Sequence, residues 1–118
     1  MSDFGASVGV YRTDGRSAGA DDERRVREAA RSLQLTRRDR IGPYDHFDLR
    51  FGGAHRPDGV EGVGVFLSGH FIGDDEGNDG LDPETITARE EPVAGQFADD
   101  LARLLGDEYE VRVYSGYH

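Results

Sequence analysis

The chain has 118 residues, 36% of them hydrophobic, which is enough for one compact domain and too little for two. Its 14 basic residues are all arginine and are outnumbered by 24 carboxylates, so the net charge is -10. The absence of cysteine excludes disulfides, a thiolate nucleophile and a cysteine-built zinc site. A net charge of this sign also repels phosphate backbones, and we therefore expect no nucleic-acid partner.

The composition also bears on origin and compartment. Arginine without lysine is typical of a high-GC genome, and a chain this acidic is typical of a halophilic, salt-adapted cytoplasm. No apolar run is long enough to cross a bilayer, and the first ten residues have neither a basic leader nor a sustained apolar segment. These patterns predict a cytoplasmic protein with no membrane association.

The first 35 residues predict a strand followed by a helix. Residues 6–13 are β-branched and alternating, and Asp14-Gly15 ends them, which is typical of a strand. Residues 21–35 begin with three carboxylates, which the positive end of a helix dipole favours. Their apolar positions recur at helical spacing: Val26, Ala29, Ala30 and Leu33.

The middle of the chain predicts a β-hairpin. Residues 46–53 alternate apolar and polar side chains, and residues 62–72 place Val63, Val65 and Leu67 on one side. Between them, residues 56–59 read Arg-Pro-Asp-Gly, in which proline presets the second turn position and glycine closes the turn.

The last third predicts an acidic loop, a helix and a strand. Residues 73–91 have a net charge of -7, in a connection too long to be minimal. We expect the second helix to begin with Pro92 at its first position and to end at Gly106, since these residues suit the two ends of a helix. Residues 109–118 alternate and predict the fourth strand.

The predicted order is strand, helix, strand, strand, helix, strand. This order predicts an α+β fold of the ferredoxin-like split βαβ type, with a four-stranded antiparallel sheet and both helices on one face. Because this fold serves many unrelated functions, function has to be argued from the uncovered face and the loops.

Alternation along the strands predicts what the uncovered face carries. If the valines of the strands, Val113 among them, face the helices, then Tyr11, Phe66 and Tyr114 form an aromatic patch on the other side. RNA-recognition domains also use aromatic residues on such a face. Here the third strand offers Glu61 and valines at the corresponding spacing, so the RNA-binding pattern fails.

Catalysis has weak support in the sequence. Four histidines are present, but none belongs to a metal-binding pair, a nucleophile elbow or a phosphate loop, and we predict no catalytic residue, metal site or cofactor. His70, on the predicted open face at the start of the acidic loop, is the best candidate for acid–base chemistry, but a second positioned group is not identifiable. The alternative reading is a small enzyme or ligand-binding protein of the dimeric α+β barrel type, with a pocket near His70.

The acidic loop favours docking to a basic protein. A calcium loop needs glycine at position 6 and glutamate at position 12, and neither register from Asp74 or Asp75 satisfies both. An acidic loop beside an aromatic face suits an inhibitor or immunity-type antidote of a basic partner. The predicted protein-binding residues are Tyr11, Phe66, His70, Asp74, Asp75, Glu76, Asp79, Asp82, Glu84 and Tyr114. We expect a monomer or a sheet-to-sheet homodimer, and a salt-adapted domain without a docking role is the second alternative.

Overall fold

The computed structural model describes residues 4–36, 44–71 and 82–117. They form, in chain order, β1 (Phe4–Arg12), α1 (Ala20–Thr36), β2 (Tyr44–His55), β3 (Glu61–Phe71), α2 (Pro83–Leu105) and β4 (Tyr109–Tyr117). The four strands make one open antiparallel sheet, which confirms the α+β class. Assignment to the ferredoxin-like arrangement stays a prediction.

The strand order across the sheet is β2-β3-β1-β4, so β1 and β3 are central. The pairing of β1 with β4 runs the whole length of both strands, whereas the register of β1 with β3 covers only residues 7–10 and 63–66. The predicted hairpin is confirmed, since β2 pairs with β3 from His55 and Glu61 outward. At its turn, Gly59 has the positive φ of 86° that glycine adopts without strain.

One face of the sheet, which we call the covered face, packs against both helices. Val8, Val10, Val63 and Val65 alternate on this face and are almost fully buried. The helices contribute Val26, Ala30, Leu33, Val93, Ala94, Phe97, Ala98, Leu101 and Leu105 to the same cluster. The side of the sheet away from this cluster is the open face.

The predicted start of α2 is wrong by nine residues. The helix begins at Pro83, and the Asp82 side chain caps it by accepting a hydrogen bond of 2.7 Å from the Thr85 amide. Pro92 lies inside the helix, where it lacks the amide that would donate to the turn before it. The helix continues through this position because buried residues on both sides of it, Ile86 and Val93, hold it against the domain.

The acidic loop predicted at 73–91 is wrong for its second part, because residues 83–91 are helical. Residues 73–81 lie outside the described residues. The predicted end of the helix is confirmed, since Gly106 has a φ of 80° and donates its amide to the Ala102 carbonyl.

Val113 lies on the covered face, as the alternation predicts, since the register places it directly opposite the buried Val8. Its side chain is nevertheless 36% exposed and lies outside the core cluster. Its strand, β4, is an edge strand of the described sheet, so Val113 has a neighbouring strand on one side only. Neither helix in the described part of the chain is long and apolar enough to cross a membrane.

Candidate functional site

Three aromatic residues lie on the open face across the central strands. The register places Ser7 of β1 between Phe66 of β3 and Tyr114 of β4, so these side chains share a face. Tyr11, four residues along β1 from Ser7, has the same orientation in the strand. Phe66 and Tyr114 are half-buried, while Tyr11 is only 4% exposed.

Glycines make room for the Tyr11 ring. A Cβ atom built on Gly62 would lie 2.6 Å from Cδ1 of Tyr11 and 2.3 Å from the Val10 carbonyl oxygen. A Cβ on Gly9 would lie 3.0 Å from the Tyr11 hydroxyl. The ring therefore occupies the space above two neighbouring strands that side chains would otherwise fill.

A second pair of glycines lies under Phe66. A Cβ on Gly52 would be 3.0 Å from the Phe66 ring, and a Cβ on Gly64 would be 3.1 Å from it. Gly52 and Gly64 are directly paired in the hairpin. The open face is thus surfaced by aromatic rings that lie over glycines of β1, β2 and β3.

Two arginines lie against the Tyr11 ring. The guanidinium carbons of Arg56 and Arg112 are 5.4 and 6.0 Å from its centroid, within the range of cation–π attraction. Asp58 pairs with Arg56 at 2.6 Å, and Glu110 pairs with Nε of Arg112 at 2.8 Å. The carboxylates offset the charge of the arginines and hold both guanidiniums in place.

These residues surround a cavity of about 470 Å³ that is open to solvent. It is lined by Tyr11, Gly53, His55, Arg56, Pro57, Phe66, Arg112, Val113 and Tyr114. This volume and this mixture of aromatic side chains with a few polar groups are typical of small-molecule sites. Among the described residues, no group of three potential metal ligands is gathered here or elsewhere.

The two tyrosine hydroxyls of the cavity stay protonated at neutral pH. Burial raises the pKa of Tyr11 above its usual value, and the nearby Arg112 and Arg56 only partly oppose this effect. Burial also raises the pKa of Tyr114, which hydrogen-bonds to Ser7. The cavity therefore offers hydroxyl groups that can donate or accept hydrogen bonds, and no phenolate.

The structure describes only some of the other predicted docking residues. The side chain of His70 and the carboxylates Asp74, Asp75, Glu76 and Asp79 are outside the described residues. In the register of β2 with β3, the backbone of His70 pairs with that of His46.

Asp82 is the N-cap of α2 and Glu84 lies in its first turn, so Glu84 is helical and not part of a loop. The Thr85 amide lowers the pKa of Asp82, as expected for a capping carboxylate. This capping role accounts for the position of Asp82 without a partner, while Glu84 is exposed in the same turn. Docking through either residue stays a prediction.

A second polar cluster surrounds the buried carboxylate of Asp22, at the start of α1. Its oxygens accept hydrogen bonds from the Tyr109 hydroxyl at 2.5 Å, the Gly19 amide at 2.8 Å and Arg12 at 3.0 Å. Burial alone would raise the pKa of Asp22, but these hydrogen bonds outweigh burial and lower it. We assign this cluster to stability, because it joins α1 to β1 and β4 and opens onto no described cavity.

The binding residues predicted from the sequence do not include the arginines or the glycines of the site. Arg56 was predicted in a turn, and Arg112 in the fourth strand. The glycines do leave a signal, since Gly62 and Gly64 alternate on β3 beside Phe66. Glycine at every second position of a strand indicates that something lies close to the backbone on that face.

Comparison of the chain with known protein families, with characterised proteins and with solved structures finds no match.

Proposed function

We propose that this protein is a small protein-interaction module that docks through its open sheet face. One observation carries the proposal: in the described part of the chain both helices pack on the covered face and neither packs on the open face, where Phe66, Tyr114 and the cavity beside them lie. Aromatic residues at the centre of a contact area commonly supply most of the binding energy, because they bury a large area at low entropic cost.

The charge of the chain supports a basic partner. Residues 58–118 have a net charge of -12, and the described part of α2 exposes Glu84, Glu91 and Asp99. The open face is more balanced, since Asp58 and Glu110 accompany its arginines. We therefore propose that the carboxylates of residues 73–91 and of the rest of α2 attract a basic partner, and that the aromatic residues of the open face supply the binding energy. An inhibitor or immunity-type antidote would combine these two properties.

The experiment compares two single substitutions in capture from a lysate of the source organism. Phe66→Ala removes the central ring of the open face, and Leu104→Ala removes a side chain that is 55% exposed on α2. We expect one protein to be retained by the wild type and by Leu104→Ala and lost with Phe66→Ala. With that protein purified, Phe66→Ala should weaken binding by ~2 kcal/mol or more in calorimetry.

Thermal melts of both variants are the control for folding. Equal capture by the wild type and both variants would contradict docking through this face. Loss of ~3–5 kcal/mol of stability in Phe66→Ala would show instead that the ring belongs to a core. In that event Tyr114→Ala, on the edge strand, provides the same comparison.

A second candidate function is binding of a small molecule, with or without catalysis, in the same face. The cavity of about 470 Å³ favours it, since such a volume accommodates a drug-sized ligand. Pairing of two copies sheet to sheet would close the cavity from solvent. Equilibrium sedimentation distinguishes the monomer from this dimer.

A further inference from the structure

We propose that the open-face cavity binds a planar aromatic ligand carrying one carboxylate, and that Arg112 is the partner of that carboxylate. The inference rests on the second candidate function, which is that the cavity takes a small molecule. It is independent of docking to a protein. Three features of the cavity support the inference: its flat aromatic floor, the hydrogen-bond partners of its two arginines, and the near-equal numbers of positive and negative charges around it.

The floor of the cavity suits a flat ligand. The Phe66 ring covers Gly52 and Gly64, so it lies along the sheet instead of standing out from it. Tyr114 lies in the same cross-strand row, with Ser7 between the two. An aromatic ring prefers an offset stack or an edge contact with another ring, and this row offers both at one place.

The two arginines are not equivalent. Arg56 is mostly buried, and Asp58 engages it twice, through Nε at 3.2 Å and Nη2 at 2.6 Å. Arg112 is 53% exposed in its side chain, and Glu110 engages it through Nε. In the described part of the chain, the two terminal amino groups of Arg112 have no hydrogen-bond partner.

The two terminal amino groups of Arg112 that lack a hydrogen-bond partner in the described part of the chain indicate the chemical class of the ligand. The two terminal amino groups of a guanidinium form a planar fork that matches the two oxygens of a carboxylate. Glu110 and the Tyr11 ring hold the guanidinium in place before a ligand arrives. Little side-chain entropy is then lost on binding, which favours affinity.

The local charges favour a single negative charge over several. Asp58 and Glu110 offset Arg56 and Arg112, so a polyphosphate would meet two carboxylates at close range. The rest of the chain adds a net negative field, but salt at ~0.15 M largely screens exposed charges beyond ~8 Å. A monoanion in contact with Arg112 is therefore attracted locally and repelled only weakly from a distance.

The test uses 2-naphthoate as the probe and its neutral analogue 2-naphthamide for comparison, in isothermal titration calorimetry with the full chain. We expect 2-naphthoate to bind more tightly than 2-naphthamide, and Arg112→Gln to weaken naphthoate binding by about 10-fold or more. The matched control is Arg103→Gln, an exposed arginine of α2 paired with Asp100 at 3.3 Å and absent from the cavity lining. This control should bind naphthoate as the wild type does.

Each other outcome has a defined meaning. Equal affinity for the two probes would overturn the carboxylate assignment and leave a small-molecule cavity in place. Failure of both probes to bind at millimolar concentration would overturn the second candidate function as well. Equal effects of Arg112→Gln and Arg103→Gln would overturn the role of Arg112. If Arg112→Gln does not fold, Arg112→Lys keeps the charge and removes the fork, and unchanged naphthoate affinity in that variant would contradict the proposal.

Discussion

The two faces of one sheet use opposite kinds of residue. The covered face is built from valines that alternate along β1 and β3 and pack against both helices. On the same strands, the open face alternates glycine with aromatic residues, and arginines lie over the Tyr11 ring. Glycine in a strand therefore does not always weaken the sheet. On the open face, the glycines leave space that the rings of Tyr11 and Phe66 occupy.

The largest expected effect lies on the covered side. Leu101→Ala deletes a fully buried side chain of α2 and leaves a space that valines of the sheet cannot fill, so it should cost ~2–5 kcal/mol of unfolding free energy. Leu104→Ala, three residues along the same helix and 55% exposed, should change it by less than ~0.5 kcal/mol. Urea denaturation followed by circular dichroism measures both values. Similar costs at the two positions would break the assignment of this helix face to the core.

The next effect concerns the polar anchor at the edge of the covered side. Asp22→Asn removes the charge that Arg12, Tyr109 and the Gly19 amide stabilise, and it should cost ~1.5–3 kcal/mol at pH 7. Because the folded-state pKa of Asp22 is lowered, the carboxylate stabilises the fold above its unfolded pKa of ~3.9. Its contribution is lost as pH falls through the lower, folded pKa.

The difference in stability between the wild type and Asp22→Asn should therefore be constant above about pH 5 and shrink below about pH 4. Urea denaturation at several pH values between 3 and 7 measures this difference. A difference that stays the same down to pH 3 would show that the charge of Asp22 adds nothing to stability.

A pair of glycine substitutions tests the open face directly. Gly62→Ala places a Cβ atom 2.3 Å from the Val10 carbonyl oxygen, so strands must move, and the cost should be ~1–3 kcal/mol. Gly95→Ala, inside α2, adds a Cβ that meets nothing within 4 Å apart from its chain neighbours and the backbone of its own helix, so it should stabilise the protein by ~0.5–1 kcal/mol. Thermal denaturation of the two variants gives opposite shifts. A gain in stability for Gly62→Ala would contradict the close approach of the Tyr11 ring to this glycine.

Apolar periodicity correctly predicted the elements whose apolar residues are buried on one side. It failed at the start of α2, where the sequence contains two helix-start signals. The strands and α1 follow from alternation and helical spacing because their apolar residues pack on one side only, as Val8, Val10 and Val26 do. For α2, Pro92 and Asp82-Pro83 are both start signals. In the structure Ile86 is buried, and its burial favours a helix that begins at the earlier signal, Asp82-Pro83. The burial of Ile86 is not evident from the sequence.

The site was harder to predict than the fold. Alternation placed Tyr11 on the exposed face of the sheet, yet Tyr11 is only 4% exposed. Glycines of neighbouring strands allow its ring to pack against the sheet, and arginines lie over the ring. Contacts between Tyr11, Arg56 and Arg112 depend on the strand register, which one sequence does not specify. The cavity is a product of that register.

The smallest expected effect comes from charge outside the open face. Residues 58–118 repel one another, with a net charge of -12, so screening should stabilise the fold. The Debye length falls from ~30 Å at 0.01 M to ~3 Å at 1 M, and the melting temperature should rise across this range of sodium chloride. Changing both Asp99 and Asp107, which are exposed, to asparagine should raise the melting temperature at low salt and reduce its further gain with salt. The comparison variant, Arg112→Gln on the open face, makes the chain more negative and should increase the gain with salt. A melting temperature independent of salt in all three proteins would show that exposed carboxylates do not limit stability, and the two faces would then differ in packing alone.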